Sequence, residues 1–186
     1  QDMETISLDL GGGLMNVAGG TTTILPNGNF GPIYESEAFT ENIWISGLPR
    51  LHIDVSTATV GGQIYALLED CSEDGYCIHI GHAIMDLRYH EGGNQEQTWL
   101  PIFDTINAKI EFFAMDVQIE AGHTIRLSLA STGEDYLPAS TSSIVEVSEG
   151  SSSNLLIDII NPEDKLLFNP PSCTHQACFD WLNQTA

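Results

Sequence analysis

The sequence predicts an all-β protein, an antiparallel β-sandwich. Three observations carry this. Apolar residues recur with a period of two rather than 3.6. Glycine, asparagine, aspartate and proline punctuate the apolar runs at short intervals. No segment carries a long amphipathic helical stripe. Together they predict two packed antiparallel sheets of roughly eight or more strands with Greek-key or jelly-roll connections.

Residues 1–32 are rich in glycine, threonine and asparagine and read as N-terminal strands or an arm, with short apolar runs at Ile6, Leu8, Leu10 and at Thr22, Ile24. Residues 33–165 read as the sandwich itself. Leu51, Ile53 and Val55 alternate with His52, Asp54 and Ser56, one face in and one out. From Ile78 and Ile80 to Met85, Leu87 and Tyr89 the phase slips, which predicts a bulge near His82. Ile110, Phe112 and Ala114, followed by the offset set Phe113, Met115, Val117 and Ile119, predict one long bulged strand. Ile125, Leu127 and Leu129 give another, and Leu155, Ile157 and Ile159 the last. Ser151-Ser152-Ser153 reads as a hairpin tip. Gly61-Gly62, Glu73-Asp74-Gly75, Gly92-Gly93-Asn94, Gly133-Glu134-Asp135 and Asn161-Pro162 supply the turns. Residues 166–186 read as a C-terminal tail, with a short helical turn over 178–183.

The charge is one-sided. The 186 residues hold 26 acidic side chains against five basic ones (Arg50, Arg88, Lys109, Arg126, Lys165), for a net charge of -21. Such a field repels phosphate backbones and anionic headgroups, which argues against nucleic acid and membrane as partners. No apolar run reaches the roughly 18 residues of a membrane span. The chain begins at Gln1 with no charged and apolar leader before it, as expected of a mature secreted product or a domain fragment.

Four cysteines fall in two local pairs, Cys71 with Cys77 and Cys173 with Cys178, neither at zinc-ligand spacing. Three pairings are open. Two short disulfides are the favoured reading, one closing a hairpin and one clipping the tail, and these place the chain at the cell surface or outside it.

Catalytic patterns are missing. There is no Gly-x-Ser-x-Gly elbow, and His90-Glu91 is not followed by the second histidine of a zinc helix. The chain alone is not expected to be an enzyme. Asp70-x-Ser72-x-Asp74-Gly75 places alternating oxygen ligands before a glycine turn, which makes Asp70 and Asp74 candidate calcium ligands. The twelfth position is Gly81, so an EF-hand is excluded. His79 and His82, three apart on a strand, point to opposite faces unless a bulge intervenes. Trp44 and Trp99 are candidates for stacking on a carbohydrate.

From about residue 33 the order of segments resembles the C-terminal domain of the X-prolyl dipeptidyl peptidase and cocaine esterase family. Glu35–Glu41 and Ile45-Ser46-Gly47-Leu48-Pro49-Arg50-Leu51 resemble its opening strand and Gly-x-Pro turn. Tyr65–Asp70 with Asp74-Gly75 resembles its hairpin, and Gly81–Tyr89 its long strand ending in arginine. The best match is Gly122-His123-Thr124-Ile125-Arg126-Leu127, similar to the family's Gly-His-x-Ile-Arg-Leu signature. The resemblance covers roughly 33–160 and implies a jelly roll related to galactose-binding-like domains. It further implies a structural role for Gly122, His123 and Arg126, and a serine-hydrolase triad on a separate α/β-hydrolase domain. The cysteine pairs are not part of the family's pattern. The partner implied is a protein, that hydrolase domain. The alternatives are self-assembly of a free-standing extracellular subunit, with residues 1–35 adding a strand to a neighbour, and a carbohydrate-binding module.

Overall fold

A computed structural model describes residues 3–11, 14–15, 20–90, 97–133, 136–139 and 143–160. The strands are β1 (Glu4–Gly11), β2 (Leu14–Met15), β3 (Thr21–Ile24), β4 (Ile33–Glu35), β5 (Ile43–Gly47), β6 (Arg50–Thr57), β7 (Gln63–Cys71) and β8 (Cys77–Asp86). After a 3-10 turn at Leu87–Tyr89 come β9 (Ile106–Glu111), β10 (Met115–Ile119), β11 (Thr124–Ala130), β12 (Val145–Ser148) and β13 (Gly150–Ile160). That turn is the one helical element among the described residues.

Two layers enclose one core. In the first, β5 and β6 form a kinked ribbon, with β9 and β10 along one edge and β12 and β13 along the other. Outside these, β1 pairs with β13 and β3 with β12. The second layer runs β2-β4-β11-β7-β8, and the short β1–β2 pairing joins the two layers. All pairs are antiparallel except β2 with β4. The predicted sandwich is therefore the observed one.

Alternation explains how the core forms. Leu51, Ile53 and Val55 of β6 are fully buried, as are Ile125, Leu127 and Leu129 of β11. They meet Ile64, Ala66 and Leu68 of β7 and Leu155 and Ile157 of β13 in a single cluster. Leu8 and Leu10 of β1 belong to it too.

Two local expectations change in detail. The long strand expected over 110–119 is two strands, β9 and β10, on the same β5–β6 ribbon. Arg50 faces Glu111 and Gly47 faces Met115, so the register moves by one residue across the break. Here Phe112 turns inward while Phe113 stays exposed. The hairpin tip expected at 151–153 is corrected. Those serines lie within β13, and Gly150, with φ 131°, ends the interruption between β12 and β13. Ser153 is buried because its Oγ accepts from the Asp54 amide (2.9 Å) and donates to the Ser148 carbonyl (2.5 Å). It thus satisfies backbone groups where the ladder is broken.

Candidate functional site

The outer face of the second layer carries the densest chemistry. Along β7, Ile64, Ala66 and Leu68 face the core, so Tyr65, Leu67 and Glu69 face out. Register then sets three rows across the sheet. The first is Ala130, Tyr65 and Ile84; the second is Ile33, Ser128, Leu67 and His82; the third is Glu35, Arg126, Glu69 and His79. Apolar side chains dominate the first two rows and charge the third.

The bulge in β8 builds the third row. Leu68 pairs with Gly81 and Glu69 with His79, so Ile80 is the extra residue. The additional step turns His79 onto the face of His82. Nδ1 of His82 lies 3.2 Å from Nε2 of His79, and its Nε2 lies 3.0 Å from the Tyr136 hydroxyl. His82 also touches the Tyr65, Tyr136 and Phe113 rings, with Phe113 edge-on at 5.6 Å. Tyr65 in turn lies 6.2 Å from Phe30. A Cβ on Gly133 would sit 2.6 Å from the Tyr65 ring, so only glycine lets this loop close over it. Beside the cluster opens a cleft of about 540 Å³, lined by Asn27, Asn29, Phe30, Tyr65, Leu67 and His79 among others.

The residues singled out by sequence lie elsewhere. Cys71 and Cys77 form a disulfide between directly opposed positions of β7 and β8. Cys173 and Cys178 lie outside the described residues. Asp70 accepts a 2.8 Å hydrogen bond from Nδ1 of His123. Asp74 is folded back on its own turn: the Ser72 hydroxyl (2.5 Å) and the Tyr76 amide donate to it and hold its carboxyl below the usual range. Among the described residues no three His, Cys, Asp or Glu side chains gather closely enough to hold a metal ion. In this structure Asp70 and Asp74, the candidate calcium ligands, have these hydrogen-bond partners within the chain.

Gly122 takes φ 88° in the turn before β11, a conformation that favours glycine. His123 ties that turn to β7 through Asp70, and Arg126 pairs with Glu35 at 3.2 Å. Trp44 and Trp99 sit at opposite ends of the β5–β6 ribbon: Trp44 lies within β5, while Leu100 donates its amide to the Val60 carbonyl beyond β6. Trp44 donates its indole N–H to Asp116, and the Arg88 guanidinium lies 5.8 Å from the Trp99 ring centre. They form no common platform.

Arg88 also grips Asp86 through Nε and Nη2. Burial opposes the Asp86 carboxylate, but hydrogen bonds from the Arg88 side chain and amide outweigh it and hold its carboxyl below the usual range. A carboxyl depressed in the fold adds stability above its ordinary range, and this is lost as pH falls through the depressed value. Asp86→Asn is expected to flatten the acid side of a melting temperature against pH profile. An unchanged profile would show the pair to be without effect.

The family described as X-Pro dipeptidyl-peptidase C-terminal non-catalytic domain matches residues 25–156. No curated protein matches the chain in sequence. Among solved structures, a CocE/NonD family hydrolase from Staphylococcus aureus superposes with TM-score 0.74 at 12% identity, over 86% of this chain and 37% of its own. An aminopeptidase from a marine sediment Thaumarchaeota archaeon gives 0.70 at 13%, over 85% and 37%. An alpha-amino acid ester hydrolase gives 0.68 at 16%, over 83% and 36%. At these identities the likeness is one of fold, and the chain spans little more than a third of each hydrolase.

Proposed function

Because the chain belongs to the X-Pro dipeptidyl-peptidase C-terminal non-catalytic domain family, we propose that it serves an extracellular serine hydrolase, an X-prolyl dipeptidyl peptidase or acyl esterase, as the accessory domain that shapes access to the active site. The family match over 25–156 carries this reading. The three hydrolases support it, since each devotes the larger part of its length to something other than this fold. The Cys71–Cys77 disulfide supports an oxidising compartment. Self-assembly by strand donation has less support, because β1 and β3 are already paired with β13 and β12 of the same chain.

Reconstitution tests the reading. The chain is combined with the α/β-hydrolase portion encoded in the same genome and assayed on Ala-Pro p-nitroanilide and on p-nitrophenyl esters. The chain alone is expected to turn over neither substrate. Adding it is expected to change kcat/KM of the hydrolase portion. A hydrolase portion that neither binds the chain nor changes in kcat/KM or melting temperature would overturn the proposal.

A further inference from the structure

The bulge in β8 aims two imidazoles at one point. We propose that His79 and His82 form a binding site for a borderline divalent transition-metal ion of the Zn2+ type, with Glu69 as the third protein ligand. The site stands independently of the accessory-domain reading above.

Geometry comes first. On a regular strand, residues three apart point to opposite faces. The extra residue Ile80 cancels that opposition, and its own side chain packs against the core. Bulges that re-aim a side chain in this way are concentrated beside functional sites. Nε2 of His79 comes to lie 3.2 Å from Nδ1 of His82, with the ring centres 5.2 Å apart. Two imidazole nitrogens on one tetrahedral Zn2+, each at about 2.0–2.1 Å, stand roughly 3.3–3.4 Å from each other, so the pair can share an ion with little movement. The far nitrogen of His82 is already engaged. Its Nε2 lies 3.0 Å from the Tyr136 hydroxyl, and donating the N–H there leaves the Nδ1 lone pair facing His79. Outer hydrogen bonds of this kind fix the tautomer and orientation of ligating imidazoles. His79 frees its Nε2 by carrying its proton on Nδ1.

Ligand chemistry selects the ion. Imidazole nitrogen suits Zn2+, Cu2+ and Ni2+, whereas Ca2+ and Mg2+ take oxygen. Glu69 lies directly across the ladder from His79 and joins no ion pair among the described residues, while Arg126 beside it is taken by Glu35. Opposed side chains on paired strands have Cβ atoms about 4.5–5.5 Å apart, within reach of a glutamate arm. As the side chains stand, two ligands are in place rather than three. Rotation of Glu69 supplies the third and water the fourth. His79 is exposed and opens the site to solvent, whereas the Tyr65 and Phe113 rings flank His82. His123 offers no such pair, since its Nδ1 partner is the Asp70 carboxylate.

A net charge of -21 concentrates any dication near the surface, so a specific site is distinguished from that field by its choice of ion and its dependence on His79. The whole chain is treated with chelator, its Cys71–Cys77 disulfide kept intact and free thiols alkylated. Zn2+ is titrated by calorimetry, and the imidazole signals are followed by NMR. One Zn2+ per chain is expected, with ring shifts at His79 and His82 and none at His52 or His123. His79→Ala, at an exposed position, is expected to weaken binding about tenfold or more, and Glu69→Gln and Tyr136→Phe several-fold. His82→Phe keeps a ring among its aromatic neighbours and is expected to weaken binding as much as His79→Ala. The melting temperature is expected to rise with Zn2+ in the wild type and not in His79→Ala. Ca2+ in about tenfold excess is expected to leave the ring shifts unchanged. Equal Zn2+ binding by wild type and His79→Ala, ring shifts confined to other histidines, or displacement of Zn2+ by Ca2+ would overturn the site and leave a plain hydrogen bond between two imidazoles.

Discussion

Replacing Phe112 by alanine is expected to lower the unfolding free energy by about 3–5 kcal/mol, the range for truncating a fully buried aromatic side chain. Phe112 is only 2% exposed and lies where β9 gives way to β10. Its amide donates to the Pro49 carbonyl at 3.0 Å, so the backbone is fixed at the point where the ribbon changes register. With the backbone held, the core can collapse only partly into the space left, and the cavity term adds to the lost transfer energy. The neighbouring Phe113 is the control. It is 67% exposed and meets the edge of His82, so its truncation is expected to cost about 1 kcal/mol or less. Urea denaturation of the two variants checks both figures, and similar losses would show that the assignment of inward and outward rings is wrong.

Changing Cys71 and Cys77 together to serine is expected to cost about 2 kcal/mol. The bridge spans a sequence separation of six, and closing so short a loop removes roughly 2–2.5 kcal/mol of chain entropy from the unfolded state. For a chain of this size that lowers the melting temperature by about 4–8 °C. The effect should stay local. Beyond the disulfide, β7 and β8 remain paired back to Gln63 and Asp86, so the sandwich keeps its fold. Calorimetry with and without a thiol reductant checks this, and a wild-type melting temperature indifferent to reductant would contradict it.

Much of the sandwich can be read from local alternation. Leu51, Ile53, Val55 and Ile125, Leu127, Leu129 declare their buried face without help from the rest of the chain. What alternation cannot fix is the count of residues through an irregularity. The phase slip in 76–89 announced a bulge, but only its position at Ile80 decides that His79 and His82 share a face. The serines at 151–153 look like a turn by composition, yet the need to satisfy backbone groups beside β6 draws Ser153 into the strand. The cleft was invisible for a different reason. Phe30, Tyr65, His82 and Tyr136 come from four segments far apart in sequence, and no short motif links them. The turn at Gly122 was legible because its ties to Asp70 and Glu35 begin from a compact signature.

The pairing of β1 with β13 sets the order in which the molecule can assemble. Glu4 meets Ile159 and Leu8 meets Leu155, so the most N-terminal described strand has its partner among the last described residues. Leu8 and Leu10 must wait, uncovered, until β13 has been synthesised and has left the ribosome. Contacts this distant in sequence require a long loop to close before any energy is returned, which places folding in the millisecond-to-second range typical of non-local β proteins. During that interval the β13 edge stands open beside an apolar N-terminal segment. Deleting β1 would make that transient state permanent, and is expected to leave the domain prone to aggregation through the open β13 edge.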